Sequence, residues 1–383
     1  MKKINKLNVM YYDRKVGTLA LSNSKKVVFE YDKEWLKDGF SISPFSLPLK
    51  DGIFVPAKDY FQGLFGIFSD SLPDAWGNIL LNRLIRKYGY NPDEISILDK
   101  LAIIGNSGMG ALTYEPEIQL SNEQIEINLD KIAKECELVL TTEYSDNLDN
   151  LDNLFKLGGS SGGARPKILT TINNEDWIIK FPAPSDDRNI GLMEYEYSLC
   201  AKECGIRMEE TRLFESKVSN GYFGTKRFDR KNEKSDTKRI HMASAASLLE
   251  IDYRQPSIDY HTLMKLTKIL TKNNEKEIEQ LFKIACFNVF AHNRDDHAKN
   301  FTYLYDETNK KWHLSPAYDM TYSTTYYGEH TTSVDGNGIN PGRKELLNVG
   351  LQAGMKKKNC EEIINDIENK VNKQLKKYLN KSV

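Results

Sequence analysis

The chain has 383 residues, 40% of them apolar, with 53 Lys and Arg against 54 Asp and Glu and a formal net charge of −1. That length and apolar content allow a full core in two or three packed units. The near-zero charge argues against nonspecific nucleic-acid binding or attraction to acidic membranes through the whole-chain field.

Runs 7–12, 16–21 and 27–31 are β-prone and separated by short polar turns, which predicts an antiparallel meander. Residues 60–88 carry apolar side chains at helical spacing interrupted by Pro73, so two short helices are expected there. Strand character is expected over 101–114, around Gly105, Gly108 and Gly110, and a polar linker over 141–153. A glycine-rich segment at 158–167 precedes strand-like runs 168–172 and 177–181; a helix follows at 192–204, and further strands at 212–215 and 222–228. From residue 242 the pattern is mostly helical, with apolar three- and four-residue spacing over 260–271, 275–291 and 361–378.

Cys136, Cys200, Cys204, Cys286 and Cys360 form an odd, scattered set that fits a reducing compartment rather than a disulfide framework. The basic amino terminus lacks the apolar core of an export signal, and the apolar run 284–291 is far short of the roughly 20 residues a bilayer crossing needs. A cytoplasmic protein with no membrane partner is expected.

The most informative stretch is His292-Asn293-Arg294-Asp295-Asp296-His297-Ala298-Lys299-Asn300, followed by Tyr318-Asp319. Phosphoryl transfer needs one carboxylate near the attacking hydroxyl, plus an amide oxygen and a second carboxylate to hold magnesium against nucleotide phosphates. Asp295, Asn300 and Asp319 supply that set in that order, and the five-residue step from Asp295 to Asn300 repeats the spacing of a protein-kinase catalytic loop. A rival reading takes His292, Asp295, Asp296 and His297 as ligands of a metal-dependent phosphohydrolase. A blander one takes them as loop residues satisfying the backbone after a helix.

Upstream, Gly162, Gly163 and Lys167 suit an anion-binding loop, because glycine lets the backbone approach phosphate oxygens closely. The alternative is a flexible linker. Lys180 is flanked by apolar residues, so its ammonium is expected to meet a nucleotide phosphate or Glu194; a snorkelling edge-strand lysine is the plain alternative.

Three motifs in this order, Gly159-Ser160-Ser161-Gly162-Gly163-Ala164-Arg165-Pro166-Lys167, then Lys226-Arg227-Phe228-Asp229-Arg230, then Asp295 to Phe301 with Tyr318-Asp319, make the chain resemble the HipA family of bacterial Ser/Thr kinases, the toxins of HipBA-type toxin–antitoxin pairs. The resemblance runs over nearly the whole length and implies an α+β, protein-kinase-like two-lobed fold. An added N-terminal β-rich subdomain would occupy 1–146, a small lobe 147–230 and a mostly helical large lobe 231–383. It implies that Asp295 is the catalytic base, that Asn300 and Asp319 bind Mg2+, and that His297, Lys299 and Tyr318 lie at the ATP site. By the same resemblance Gly162, Gly163, Ala164, Arg165 and Lys167 cover the phosphates, Lys180 contacts them, and Lys226, Arg227 and Phe228 pass the adenine. Ser160, or alternatively Ser161, is the implied site of self-inactivating autophosphorylation.

The implied substrate is a protein, with glutamyl-tRNA synthetase the leading candidate among aminoacyl-tRNA synthetases, and its phosphorylation would arrest translation and growth. The implied partner is a HipB-like helix-turn-helix antitoxin, with DNA reached only through it. Two other functions compete: a kinase-fold binding module that serves as antitoxin partner and co-repressor, and the phosphohydrolase.

Overall fold

The computed structural model describes residues 3–23, 26–118, 127–142, 151–160, 163–233, 236–325 and 328–379. It divides into two compact units, one of Met1–Gly191, Leu213–Ala243 and Ser247–Glu250, the other of Leu192–Arg212, Ser244–Ala246 and Ile251–Val383.

In the first unit the meander forms as the alternation predicts. Strands β1 (Lys6–Tyr11), β2 (Arg14–Leu21) and β3 (Val27–Tyr31) pair antiparallel, with β4 (Ile53–Phe54) at one edge and β5 (Leu112–Glu115) at the other, in the order β4-β3-β2-β1-β5. Leu7, Val9 and Tyr11 point inward from β1, and Val27, Phe29 and Tyr31 from β3, the period-two pattern of a half-buried sheet. Gly17 is required at its place in β2, because a Cβ there would stand 2.4 Å from Glu30 O and 2.6 Å from the Phe29 ring.

The expected helix pair appears as Gly66–Ser69 and Ala75–Lys87, on either side of Pro73. Residues 101–114 differ from expectation. Ile97–Ile104 is a helix, started by a reciprocal capping box in which Ser96 Oγ accepts Asp99 N and Asp99 Oδ2 accepts Ser96 N, and only Leu112–Glu115 is strand. The polar stretch after the helix Leu129–Thr141 also ends earlier than expected. Residues 143–150 lie outside the described ones, and Leu151–Gly158 is a helix whose Leu151 and Leu154 join a core with Trp76, Leu80, Ile168 and Trp177.

Strands β6 (Lys167–Ile172) and β7 (Glu175–Lys180) form a hairpin joined by Asn173 and Asn174, with φ of +52° and +62°, the left-handed pair that a two-residue turn of this kind needs. With β8 (Thr211–Phe214) and β9 (Tyr222–Lys226) they form a sheet of order β6-β7-β9-β8.

The second unit is mostly helical. Helix Glu275–Phe290 is capped by Asn274, whose side chain accepts Lys276 N, and Glu275 and Glu277 sit in its first turn, where the helix dipole favours negative charge. Its buried stripe includes Ile278, Leu281, Phe282 and Ala285, and it packs against helix Lys357–Gln374, which buries Cys360, Ile364, Ile367 and Val371. Strands Thr302–Asp306 and Lys311–Leu314 pair antiparallel beyond the loop that leaves the Glu275–Phe290 helix. All five cysteines are buried thiols. Among the described residues, no helix is long and apolar enough to cross a membrane.

Candidate functional site

The helix Glu275–Phe290 ends where Ala291 N bonds Phe287 O, and His292 then turns the chain with φ +53°. The following loop is fastened by its backbone. His292 O accepts Ser323 N at 3.0 Å, and Arg294 O accepts Thr331 N at 2.9 Å and Thr331 Oγ1 at 3.0 Å. On this fixed loop the adjacent aspartates take opposite fates. The Asp295 side chain is 61% exposed, whereas Asp296 is 1% exposed and fully engaged. Asp296 Oδ2 accepts Tyr260 Oη at 2.9 Å and faces His330 Nδ1 at 2.9 Å, while Oδ1 accepts Thr332 N at 3.1 Å. Burial, reinforced by the Asp296 charge, pushes the Tyr260 phenol well above its ordinary value, so it stays a donor.

Asn300 Nδ2 donates to Asp295 O at 2.8 Å, closing the loop over its single 3-10 turn, Ala298–Asn300. Tyr318 Oη donates to Lys299 O at 2.6 Å and lies 2.6 Å from Thr302 Oγ1. Asp319 follows with φ +53°, a left-handed backbone for a residue with a side chain, and its carbonyl lies 3.3 Å from Asn293 Nδ2. His297 Nε2 is 3.9 Å from Asp295 Oδ1. The second unit therefore gathers Asp295, His297, Lys299, Asn300, Tyr318 and Asp319 around one loop, beside a pocket that Asn293, Asp296, Asn300, Ser315 and Tyr318 help to line. Burial first, then the Arg294 and His330 charges, hold the His292 imidazole below its ordinary value.

Tyr253 belongs to the same group and was not anticipated. Its ring centroid lies 5.3 Å from that of His297, and Lys299 Nζ stands 5.1 Å over it, a cation–π contact. The only hint in the sequence was an aromatic set between Asp252 and Arg254 in an otherwise polar turn.

The glycine-rich segment lies in the first unit. Ser160 is 5% exposed and its Oγ donates to Ser107 O at 2.9 Å. Ser161 and Gly162 lie outside the described residues. Gly163 has φ +85°; its N–H donates to Asp74 Oδ2 at 2.9 Å and its carbonyl accepts Trp76 N at 3.2 Å. A Cβ at Gly163 would stand 2.5 Å from Lys167 Nζ, so the glycine makes room for that ammonium. Lys167 is buried, its carbonyl accepts Trp76 Nε1 at 3.1 Å, and it pairs across the hairpin with Lys180. Lys180 Nζ lies 5.7 Å from the Phe223 ring centroid.

Ala164 is exposed, Arg165 forms an ion pair with Asp186 at 3.1 Å, and Lys226 pairs with Glu175. Phe228 is buried, and Arg227 grips Asp229 with two hydrogen bonds, at 2.9 and 2.8 Å. Glu194 is buried in the part of helix Ile190–Glu203 that belongs to the second unit.

Asp229 is the centre of a network that the sequence did not reveal. It is 0% exposed and also accepts Arg230 Nη1 at 2.6 Å and Gly110 N at 2.7 Å. Arg230 and Arg239 donate in turn to the carbonyls of Gly108, at 3.1 and 2.9 Å, and of Gly110, at 3.1 and 2.9 Å. Burial alone would raise the Asp229 carboxyl, but the Arg227 and Arg230 guanidiniums outweigh it and hold it well below the usual carboxylate range. The Gly108 loop so braced contains Ser107, the acceptor of the Ser160 hydroxyl.

Residues 159–375 match the family model of the HipA-like C-terminal domain, and residues 7–115 that of the HipA N-terminal domain. A protein of Sinorhizobium fredii, named "Putative kinase Y4dM", is 23% identical over 363 residues, which span 88% of this chain and 81% of the relative. HipA in the toxin–antitoxin complex of HipA, HipB and operator DNA from Shewanella oneidensis MR-1 superposes with a TM-score of 0.72 at 16% identity, covering 97% of this chain and 90% of that one. At that identity the likeness is one of fold, and it agrees with the α+β architecture described above.

Proposed function

This chain belongs to the HipA family, and from that premise we propose that it is an ATP- and Mg-dependent protein serine/threonine kinase of the HipA toxin type. The observation that carries the reading is the division of labour on the loop. Asp296 is spent on Tyr260, His330 and Thr332, while the Asp295 side chain is 61% exposed on a backbone that Asn300 braces. Asp295 then takes the proton from a protein hydroxyl as its oxygen attacks the γ-phosphorus, the bond from that phosphorus to the bridging oxygen breaks, and ADP leaves.

Asn300 and Asp319 offer the oxygen donors that magnesium prefers. Bound there, the ion would offset charge on the nucleotide phosphates. In the first unit, Gly163 to Lys167, with Lys167 tucked against Gly163, suits a phosphate cover, Lys180 a phosphate contact, and Lys226 to Phe228 a run past the adenine. In the second unit, His297 and Lys299, both against Tyr253, suit nucleotide contacts.

The proposed substrate is a protein, with an aminoacyl-tRNA synthetase such as glutamyl-tRNA synthetase the first to test. The proposed partner is a HipB-like helix-turn-helix antitoxin that brings the kinase to DNA. Self-phosphorylation at Ser160 would add about −1.5 to −2 charge to a segment that buries that hydroxyl, and so would expel it. The phosphohydrolase reading is the weaker one, since Asp296, one of its four proposed ligands, is engaged by Tyr260, His330 and Thr332.

The test is intact-mass and phosphopeptide mapping of the purified chain after incubation with Mg-ATP, beside Asp295→Ala. A gain of one phosphate on Ser160 or Ser161, absent in the variant, is expected. Protein that starts unphosphorylated, binds ATP and gains nothing on itself or on the synthetase would instead point to a binding module.

A further inference from the structure

Beneath the loop of the second unit runs an unbroken chain of buried hydrogen bonds. His330 Nδ1 meets Asp296 Oδ2 at 2.9 Å, Tyr260 Oη donates to the same oxygen at 2.9 Å, and Asn288 Nδ2 donates to Tyr260 Oη at 2.9 Å. Asn288 Oδ1 then accepts Asn293 Nδ2 at 2.9 Å, and that same nitrogen lies 3.3 Å from Asp319 O. His330, Asp296, Tyr260, Asn288 and Asn293 are each at least 96% buried.

A hydrophobic residue would fill each of these places without the desolvation cost of about 1–3 kcal/mol that an unsatisfied polar group carries. What the polar chain supplies instead is a single allowed arrangement, because each member has its partner only in that geometry. Two places along it are informative. One is Asp296, covalently next to Asp295. The other is the carbonyl of Asp319, whose left-handed backbone needs an outside hold to persist.

We propose that Asn293 and Asn288 are positioning residues that fix Asp319 relative to Asp295 and Asn300, and thereby set the affinity of this site for a divalent cation. The inference rests on the kinase reading, since it takes Asp319 as a metal ligand. Asn293 suits the task because its one amide nitrogen serves Asn288 and Asp319 together, so the side chain that orders the loop also orders the segment carrying Asp319. Asn288 fixes which way that amide faces. Partners of this kind behind metal ligands change affinity by about 10–100-fold when removed.

The experiment titrates Mn2+ into the full chain by electron paramagnetic resonance, with a non-hydrolysable ATP analogue present, and measures metal-free binding of the same analogue in parallel. Asn293→Leu and Asn288→Leu are expected to weaken Mn2+ binding about tenfold or more while leaving metal-free nucleotide affinity within about twofold. Asn293→Gln, which retains the donor, is expected to recover part of the loss, and extra Mg2+ to restore phosphotransfer in the leucine variants.

Leucine variants that melt cooperatively and bind Mn2+ like the parent would overturn the proposal. So would an equal loss of metal-free nucleotide binding, which marks collapse of the loop rather than a misplaced ligand. Should a leucine variant not fold, Asn293→Ala, which removes the donor without adding bulk, takes its place, and a folded Asn293→Ala that binds Mn2+ like the parent would tell against the assignment. Asp319→Ala separates the two layers: unchanged Mn2+ binding there removes the kinase-site reading itself, and this inference with it.

Discussion

Asp229 in the first unit and Asp296 in the second are both sealed from water, but they are stabilised by different chemistry. Asp229 is surrounded by the permanent cations of Arg227 and Arg230, whose remaining donors, with those of Arg239, tie down the carbonyls of the Gly108 loop. Asp296 meets a phenol, a backbone amide and an imidazole, and its contacts lead onward through Asn288 and Asn293. The first carboxylate is an electrostatic anchor. The second is one member of a polar chain whose value lies in geometry, and it sits where the proposed chemistry needs geometry most.

That contrast is broken most severely at Asp229. Asp229→Ala leaves Arg227 and Arg230 buried without their counter-charge, and a loss of about 3–5 kcal/mol in denaturant unfolding is expected. A loss below about 1 kcal/mol would mean that the arginines are reached by water, and that the anchor is no anchor.

The imidazoles sharpen it next. His330 faces Asp296, whereas His241 in the first unit sets its Nε2 2.9 Å from Ile42 O. Burial pulls His241 down to about 4, with the Ile42 bond opposing weakly. Between pH 6.5 and 4 the unfolded chain therefore binds the proton more readily than the folded one, and stability falls as the pH falls. The loss approaches about 3 kcal/mol below pH 4. His241→Gln should flatten that part of the pH profile in thermal melts, and an unchanged slope would assign it to other groups.

The smallest expected effect is at Asp296. Asp296→Asn keeps the shape but turns an amide nitrogen toward one of its donors, for a cost of about 1–3 kcal/mol by chemical denaturation. Phosphotransfer should fall more than stability does. Equal, small losses in both would reduce Asp296 to a packing residue.

Much of the fold was legible because its signals are local. The β1 to β3 alternation, the break at Pro73 and the apolar stripe of Glu275–Phe290 all stand in short windows of sequence. Ile97–Ile104 was misjudged because an apolar run reads equally as a buried strand or a buried helix, and the deciding cap, Ser96 with Asp99, lies at its edge. The helix Leu151–Gly158 was hidden behind a polar stretch, since only its packing beside Trp76 and Trp177 makes Leu151 and Leu154 core residues.

At the site, spacing singled out Asp295, Asn300 and Asp319, the five-residue step to Asn300 favouring Asp295 over Asp296, but it could not show how the fold sets the two apart. The distinction is made by Tyr260 and His330, 36 and 34 residues away. Arg165 and Lys226 pose the same difficulty, for their carboxylate partners Asp186 and Glu175 are distant in sequence and nothing in a motif announces them.

The hydroxyl of Ser160, inward-facing and bonded to Ser107 O, bears on timing as well as on stability. Any enzyme that modifies it acts only on the fraction of molecules in which the segment has come away. The observed rate is then the intrinsic rate multiplied by that fraction, and each 1.4 kcal/mol of local holding slows it about tenfold. A substitution at Ser107 or in the arginine bracing, far along the chain from Ser160, would thus reset how long a molecule waits before it is marked, with no change in the marking chemistry.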